Sequence, residues 1–387
     1  MKTSATLFRA CLAAGISQLA TAGFAQSTAT KAPAAAPYKI VNTAQFPGTG
    51  GLDYVTADSV GRRLYVPRGP QVLVFDLDTL KQLGAVTATA RGAAVDPVSH
   101  HGFCSSNPVV MWDTQTLATL KSIPVQGRPD GILFEPLTER VYVFSHSAPN
   151  VTVIDGKDGS IVGTIDLVGT PEQAQSDGVG HLYVDLEGED NVAVVDVKTM
   201  QVTAHYDLGV KGAGPGGLGL DAKNRILFAF CHTPATCIIL NADSGKILAT
   251  LPIGTGTDGG GFNPNTMEAF SSQGDGTLTI IKENSPTSFE VEQNVTTKSR
   301  AKTCTLDTKN NQIVLITTEP MPATTAASAT PPAAPAAPAV TAAPATPATG
   351  APGGPAQPGG PAARGGQRGG RGGGGGPALL DILVVGR

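Results

Sequence analysis

Residues 181–196, HLYVDLEGEDNVAVVD, contain two apolar runs joined by a short acidic turn, and this pattern decides the fold. The first run recurs along the chain in related form, as Arg63-Leu-Tyr-Val66, His101-Gly-Phe-Cys104, Arg140-Val-Tyr-Val143, His181-Leu-Tyr-Val184, Arg225-Ile-Leu-Phe228, Glu268-Ala-Phe-Ser271 and Gln312-Ile-Val-Leu315. Their starting positions differ by 38, 39, 41, 44, 43 and 44 residues. The chain therefore holds seven copies with the period of a four-stranded propeller blade.

Each copy contains four predicted strands, named a to d from the central channel to the rim. Strand a is often Gly-rich and ends in an acidic turn, as in Leu218-Gly-Leu-Asp221, and strand b is the run described above. Strand c is a continuous apolar run, such as Val192-Ala-Val-Val-Asp196, whereas strand d is more polar. Strands stacked by neighbours on both faces need continuous apolar runs. We therefore predict an all-β, seven-bladed β-propeller.

A polar residue occupies the same place after strand c in five blades. An isolated aspartate there would suggest a metal ligand, but a repeated register favours a residue that bonds its own backbone in the c–d turn. These predicted turn formers are Asp76, Asp113, Asp155, Asp196 and Asn241.

The sequence that directly follows blade 6 contains only the first two strands of blade 7. It has a strand a (302–306) and a strand b (312–317), and is then interrupted by residues rich in Pro, Ala and Gly, which predict disorder. Leu380 to Val385 supplies the missing strand c, and Tyr38 to Phe46 supplies strand d from the other end of the chain. We expect the ring to close by pairing these two segments in one sheet, which removes an open edge.

The N-terminus is typical of a secretory signal peptide. Lys2 and Arg9 give a basic start, residues 10–22 are mostly apolar, and cleavage is expected after Ala25. The segment is too short and polar for a membrane span, so we expect a periplasmic or secreted protein. The predicted organisation is a signal peptide (1–25), a flexible linker (26–36), the first part of the propeller (37–318), a disordered insertion (319–377) and a closing strand (378–387).

Composition disfavours a nucleic-acid partner. Only 15% of the residues are charged and the net charge is −4, whereas nucleic-acid binders are usually basic. Arg364, Arg368 and Arg371 stand in a Gly-rich context that resembles RNA-binding RGG segments, but three arginines in an acidic chain favour a solvated spacer. We expect a monomer.

Cysteine spacing leaves one pairing open. Cys231 and Cys237 flank a short predicted turn and could pair across a hairpin, since an exported protein can form disulfides. Buried free thiols that fill core space are the favoured alternative.

Several stretches resemble the YncE-like, YVTN-repeat β-propellers of bacterial envelopes. They are Asn191-Val-Ala-Val-Val-Asp196, Leu251-Pro-Ile-Gly-Thr-Gly-Thr-Asp258, Gly274-Asp-Gly-Thr-Leu-Thr279 and Leu383-Val-Val-Gly-Arg387. The resemblance covers about residues 37–318 and 378–387 and implies the propeller fold, but the family has no shared catalytic motif to transfer. Blade 2 departs from the pattern, with His101-Gly-Phe-Cys104 where a Tyr-Val pair is usual.

Charged residues are expected at the channel mouth, the end of the channel where the inner strands begin. Five residues before the polar residue that ends each strand a stand Asp53, Arg91, Asp130, Glu172, Gly216, Asp258 and Lys302. A small or apolar residue is the ordinary expectation there. The sequence instead provides four acids, two bases and a glycine.

Two interpretations of this ring stay open. In the first, each base neutralises the acids beside it, Arg91 between Asp53 and Asp130, and Lys302 between Asp258 and Asp53. In the second, the adjacent carboxylates of Asp130 and Glu172, next to Gly216, bind a cation or an amine. Arg128 or another group that the sequence does not place could also neutralise this pair.

These observations favour a binding or scaffold propeller of the cell envelope, with a small molecule, cation or envelope protein at the channel mouth. No cofactor is indicated, and the six scattered histidines argue against a multi-His metal centre. The alternatives are a lactonase using Asp130, Glu172 and Arg91, by analogy with other propellers, and a periplasmic electron-transfer subunit.

Overall fold

Seven four-stranded antiparallel sheets make up the part of the chain that the computed structural model describes, residues 36–148, 150–321 and 376–387. The predicted signal peptide, most of the predicted linker and most of the predicted insertion lie outside these residues. None of the described residues is helical, so no helix among them is long and apolar enough to cross a membrane.

The blades follow one another along the chain, and in the first six blades the chain runs from the inner strand to the outer strand. Blade 1 is β2 Thr56–Asp58, β3 Arg63–Arg68, β4 Gln71–Asp76 and β5 Gln82–Thr87. Blade 2 is β6 Ala93–Asp96, β7 His101–Cys104, β8 Val109–Asp113 and β9 Thr119–Ile123. Blade 3 is β10 Pro129–Glu135, β11 Arg140–Ser145, β12 Val151–Asp155 and β13 Ile161–Ile165. Blade 4 is β14 Pro171–Ser176, β15 His181–Leu186, β16 Asn191–Asp196 and β17 Gln201–Asp207.

The remaining blades complete the ring. Blade 5 is β18 Pro215–Asp221, β19 Ile226–Cys231, β20 Thr236–Asn241 and β21 Ile247–Pro252. Blade 6 is β22 Thr257–Asn263, β23 Glu268–Gln273, β24 Thr277–Ser285 and β25 Ser288–Thr296. Blade 7, from its inner to its outer strand, is β26 Thr303–Asp307, β27 Gln312–Pro320, β28 Ala378–Gly386 and β1 Lys39–Gly48. Each inner strand contacts the inner strands of the two neighbouring blades, and β26 contacts β2, which closes the circle.

The core lies between the blades rather than within them. The buried apolar residues of the described chain form seven clusters, and each cluster joins two adjacent blades. Blade 2 shows how its unusual sequence fits this packing. The indole of Trp112, fully buried, lies over Gly102, where an added Cβ would come within 2.1 Å of the ring. The glycine that breaks the Tyr-Val pattern therefore makes room for the only tryptophan of the chain.

Blade 7 closes as predicted, with β28 between β27 and the N-terminal strand β1. The register pairs Gly48 with Ala378 at one end and Lys39 with Gly386 at the other. Strand β27 continues to Pro320, three residues past the predicted end at Thr317, because β28 begins at Ala378 and provides partners for this extension. Glu319 and Pro320 therefore belong to the sheet and not to the predicted insertion.

Charged side chains reinforce this closure, which we call the seam. Arg387 pairs with Glu268 at 2.5 Å, and its guanidinium lies 4.3 Å from the centre of the Tyr38 ring. The Tyr38 hydroxyl donates to the same carboxylate, Glu268 Oε2, at 2.6 Å. On the other side of the seam, Lys298 Nζ lies 3.2 Å from the fully buried Asp381 and 2.8 Å from Glu319.

The predicted turn formers are confirmed. The Asp76 carboxylate accepts hydrogen bonds from the Thr79 amide and hydroxyl, both at 2.7 Å, and Asp113 and Asp196 bond threonines three residues later in the same way. Asp155 and Asn241 also accept amides of their own turns. These hydrogen bonds lower the pKa of Asp76, Asp113 and Asp196, and repeated turn chemistry explains the residues without a metal.

The cysteine hairpin does not form a disulfide. Cys231 and Cys237 are both buried free thiols, and they point to opposite faces of blade 5. Cys231 packs in the cluster between blades 4 and 5, whereas Cys237 packs between blades 5 and 6. Burial raises the pKa of Cys231 to about 12, so the favoured alternative of inert core thiols is the observed one.

Candidate functional site at the channel mouth

The structure gathers the six predicted charged residues at one end of the channel. Asp130, Glu172 and Asp258 are each the second residue of an inner strand, β10, β14 and β22. Asp53, Arg91 and Lys302 precede inner strands β2, β6 and β26 by one to three residues. Since all inner strands run in the same direction around the ring, these side chains meet at the mouth.

Three of the four ion pairs expected between neighbouring positions are present. Arg91 Nη1 lies 2.6 Å from Asp53 Oδ2, and Arg91 Nε lies 3.1 Å from Asp130 Oδ1. Lys302 Nζ lies 2.5 Å from Asp258 Oδ2. Neutralisation by Arg91 and Lys302 therefore accounts for Asp53, Asp130 and Asp258.

The arc around Glu172 contains His146, which the sequence argument missed. His146 Nε2 lies 2.8 Å from Asp130 Oδ2 and 3.6 Å from Glu172 Oε1. The histidine directly follows strand β11, in the b–c loop of blade 3. Since b–c loops lie at the same end of the propeller as the starts of the inner strands, the repeat indicates the correct end for His146 but not its distance from Asp130.

Tyr54 holds Glu172 from the other side. Its hydroxyl donates to the Glu172 backbone carbonyl at 2.9 Å and lies 3.4 Å from Glu172 Oε2. The pKa of Tyr54 is raised well above its usual value, first by burial and then by the negative charges of Asp130 and Glu172, with smaller effects from Asp53 and Asp258. A phenolate is therefore excluded at neutral pH, and the hydroxyl remains a hydrogen-bond donor.

Asp53 reports the same negative environment. Burial and the neighbouring charge of Asp130 raise the pKa of Asp53 to about 6, although Arg91 acts in the opposite direction. Four carboxylates (Asp53, Asp130, Glu172, Asp258) face two permanent cations at this end of the channel, so the mouth carries an excess of negative charge.

The space beside Gly216 is not open. A Cβ added at Gly216 would come within 2.7 Å of His232 Nε2, so this imidazole occupies the place that the sequence interpretation assigned to a pocket. His232 follows strand β19 as His146 follows β11. The missing side chain of Gly216 therefore makes room for the imidazole of His232.

A cavity of about 320 Å³ continues from the mouth into the channel, with Glu172 in its lining. Below the mouth, Gln173 accepts hydrogen bonds from the amides of Leu218 and Gly260, at 3.0 and 3.2 Å, and so ties blade 4 to blades 5 and 6. The backbone amide of Gln173 donates a hydrogen bond to Asp185 Oδ1, at 2.5 Å. Asp185 is fully buried, and burial raises its pKa well above the usual range.

The described part of the chain is therefore a seven-bladed β-propeller with charged residues at its channel mouth. No family model matches the sequence, and no curated protein matches it. Solved structures do match its fold. A chain of the mitotic checkpoint complex has a TM-score of 0.62 at 12% identity, covering 74% of this chain and 91% of that one.

Two further propellers are similar to the same extent. The structure of U3-55K has a TM-score of 0.60 at 9% identity, covering 72% of this chain and 92% of that chain. The WD40 repeats of RRP9 have a TM-score of 0.59 at 10% identity, covering 74% and 91%. At such identities the likeness establishes the fold with WD40-repeat structural neighbours, and the site has to be interpreted from its own residues.

Proposed function

We propose that this protein is an exported, YncE-like binding propeller of the cell envelope that takes a cationic ligand at its channel mouth. One observation carries the proposal: Asp130 and Glu172, with side chains 3% and 2% exposed, converge on His146 beside the 320 Å³ cavity. Propellers commonly use a channel mouth lined by loops and strand starts for binding, because a rigid ring positions the side chains.

The charge of the mouth selects the class of ligand. Its carboxylates outnumber its Arg and Lys side chains, and three of them (Asp130, Glu172 and Asp258) are buried, where a charge interacts more strongly than in water. A divalent cation or a compact cationic amine would relieve the repulsion from Asp130 that, after burial, raises the pKa of Asp53. A cationic ligand therefore gains more free energy at this mouth than a neutral or anionic one.

Thermal melting of the purified protein tests this proposal. Divalent cations and small diamines should raise the melting temperature, because a ligand that binds only the folded state stabilises it by mass action. The double variant Asp130→Asn with Glu172→Gln should lose that shift. The matched control is Glu189→Gln with Glu290→Gln, which removes the same charge from two exposed positions and should respond like the wild type.

Equal shifts in both double variants, or none in the wild type, would remove the proposal. The lactonase alternative uses the same residues, and turnover of a lactone that disappears in Asp130→Asn would favour it. Export is tested separately by N-terminal sequencing of the protein from the envelope fraction, which should begin directly after Ala25.

A further inference from the structure

We infer that Asp130, His146 and Glu172 form a binding site for a divalent transition-metal ion such as Zn²⁺ or Co²⁺. The inference rests on the proposed function, because it places a particular cation at the same mouth. It makes a narrower claim than a general preference for cations, since it depends on the imidazole nitrogen of His146 and on the geometry of three donor atoms.

The three donor atoms are spaced for a common ion. His146 Nε2 lies 2.8 Å from Asp130 Oδ2 and 3.6 Å from Glu172 Oε1, and all three atoms lie within 4.8 Å of one another. Nitrogen and oxygen ligands bind zinc at about 2.0–2.2 Å, which puts the donors of a tetrahedral site about 3.4 Å apart. Small rotations of the side chains are enough to bring the observed atoms to that spacing.

Neighbouring groups hold the other oxygen of each carboxylate. Asp130 Oδ1 contacts Arg91 Nε at 3.1 Å, and Arg91 is itself fixed by Asp53. Glu172 Oε2 lies 3.4 Å from the Tyr54 hydroxyl, which also bonds the Glu172 backbone. Asp130 Oδ2 and Glu172 Oε1 are thereby directed at His146. Such outer contacts are what orient metal ligands in proteins.

Charge and burial also match a divalent ion. With a neutral imidazole, the three connected carboxylates of Asp53, Asp130 and Glu172 together with Arg91 carry a net charge of −2, which one divalent cation balances. The carboxylate side chains are only 3% and 2% exposed, whereas the His146 side chain is 27% exposed. An ion can therefore approach past the histidine and then be held by two buried charges.

The donor set distinguishes among metals. Imidazole nitrogen suits zinc, cobalt, nickel and copper, whereas calcium takes six to eight oxygen ligands and magnesium retains an octahedral shell of water. Three protein ligands leave a fourth position in a tetrahedral site, as in catalytic zinc sites. Glu172 also lines the cavity, so a water molecule or a small oxygen-donor ligand from the channel would be available to complete the coordination.

Cobalt titration of the untagged, chelator-treated full chain tests the inference. Co²⁺ should give a saturable visible absorption band, and Zn²⁺ should displace it with a stoichiometry of one ion per chain. His146→Gln should abolish the band. His205→Gln changes an exposed histidine on the rim strand β17, whose ring contacts the Leu167 carbonyl, and should leave the band unchanged.

Tyr54→Phe tests the positioning contact. It keeps all three ligands but loses the hydroxyl, so we expect cobalt affinity to fall by about 10–100-fold with the band retained in a shifted form. Melting of each variant without metal shows whether it is folded. If His146→Gln does not fold, Glu172→Gln replaces it in the same titration.

The outcomes separate the two claims. If calcium or a diamine stabilises the protein through Asp130 and Glu172 but cobalt does not bind, the metal inference is wrong and the proposed function stands. Cobalt binding that survives His146→Gln also overturns the inference. If no cation binds at all, both fail.

Discussion

The seam of blade 7 and the channel mouth both gather buried charge, but they balance it differently. At the seam, Lys298 lies between Asp381 and Glu319, and Arg387 reaches Glu268, so each of these acids contacts a Lys or Arg. At the mouth, four carboxylates share two such bases and a histidine. Paired charges at the seam serve closure, whereas an excess of one sign at the mouth costs stability and is typical of a site that binds something.

The pKa values express the same contrast. Hydrogen bonding to Lys298 holds the pKa of Glu319 below its usual value, whereas burial and the charge of Asp130 raise that of Asp53 to about 6. The ionised form of Glu319 stabilises the folded protein, whereas for Asp53 the protonated form does so.

The largest expected effect comes from removing the seam strand. Deletion of Ala378–Arg387 takes away β28 and leaves β1 and β27 without their shared partner, so the protein should not melt cooperatively. Deletion of 324–375, which the sequence predicts to bury nothing, should leave melting nearly unchanged. Calorimetry on both deletions checks this, and a cooperative transition in the first would contradict the closure argument.

A single change at the seam should have an intermediate effect. Arg387→Ala removes the partner of Glu268, which is 3% exposed, and the cation that stacks on Tyr38. Exposed pairs contribute up to about 1 kcal/mol and the loss of a fully buried partner costs about 3–5 kcal/mol, so we expect a loss of about 2 kcal/mol in urea denaturation. Arg63→Ala, at a peripheral contact with the Gln115 carbonyl, is the control and should cost under about 0.5 kcal/mol.

The mouth should show its cost through pH. Because the folded-state pKa of Asp53 is about 6 and its unfolded value about 3.8, the folded state binds the proton more tightly. Stability from this group is present below about pH 4 and is lost as pH rises through 6. The free energy of unfolding of Asp53→Asn, measured by urea denaturation, should therefore increase by about 2–3 kcal/mol relative to that of the wild type as the pH rises from 4 to 7.

Glu319→Gln provides the opposite sign at the seam. The lowered pKa of Glu319 means that its contribution is present above its unfolded pKa and disappears as pH falls through the folded value. The free energy of unfolding of this variant should therefore be lower than that of the wild type at neutral pH, and the difference should disappear in acid. If both variants shift in the same direction with pH, the contrast between seam and mouth is wrong.

The smallest effect is expected at Asp185, just below the mouth. Burial raises its pKa well above the usual range, which favours the neutral acid. Asp185→Asn keeps an oxygen to accept from the Gln173 amide, and we expect a change under about 1 kcal/mol. A loss above about 3 kcal/mol in denaturant would mean that Asp185 is ionised in the folded protein.

The sequence predicted those parts of the molecule that the repeat determines. Seven copies of strand b give the blade number, and the Asp residues after strand c give their turns, because each depends on contacts within one repeat. The split blade also followed, since Leu380 to Val385 matches a missing strand. The extension of β27 to Pro320 did not, because it depends on where β28 begins.

The site was predicted less completely, for a physical reason. Aligning the inner strands placed Asp130 and Glu172 side by side, but His146 and His232 come from loops after strand b. A loop residue's distance from the mouth depends on loop conformation, which no repeat pattern specifies. His232 over Gly216 and His146 against Asp130 are equivalent positions with different surroundings, and only the three-dimensional arrangement distinguishes them.

The register that joins Lys39 to Gly386 also bears on how the protein is made. Strand β1 is synthesised long before its partner β28, so the ring cannot close while the ribosome is still translating the last blade. Contacts this distant in sequence are slow to form, and the N-terminal strand presents an open edge in the meantime. A chain that stops before Ala378 can never satisfy that edge, which makes truncated products natural targets for proteases and chaperones.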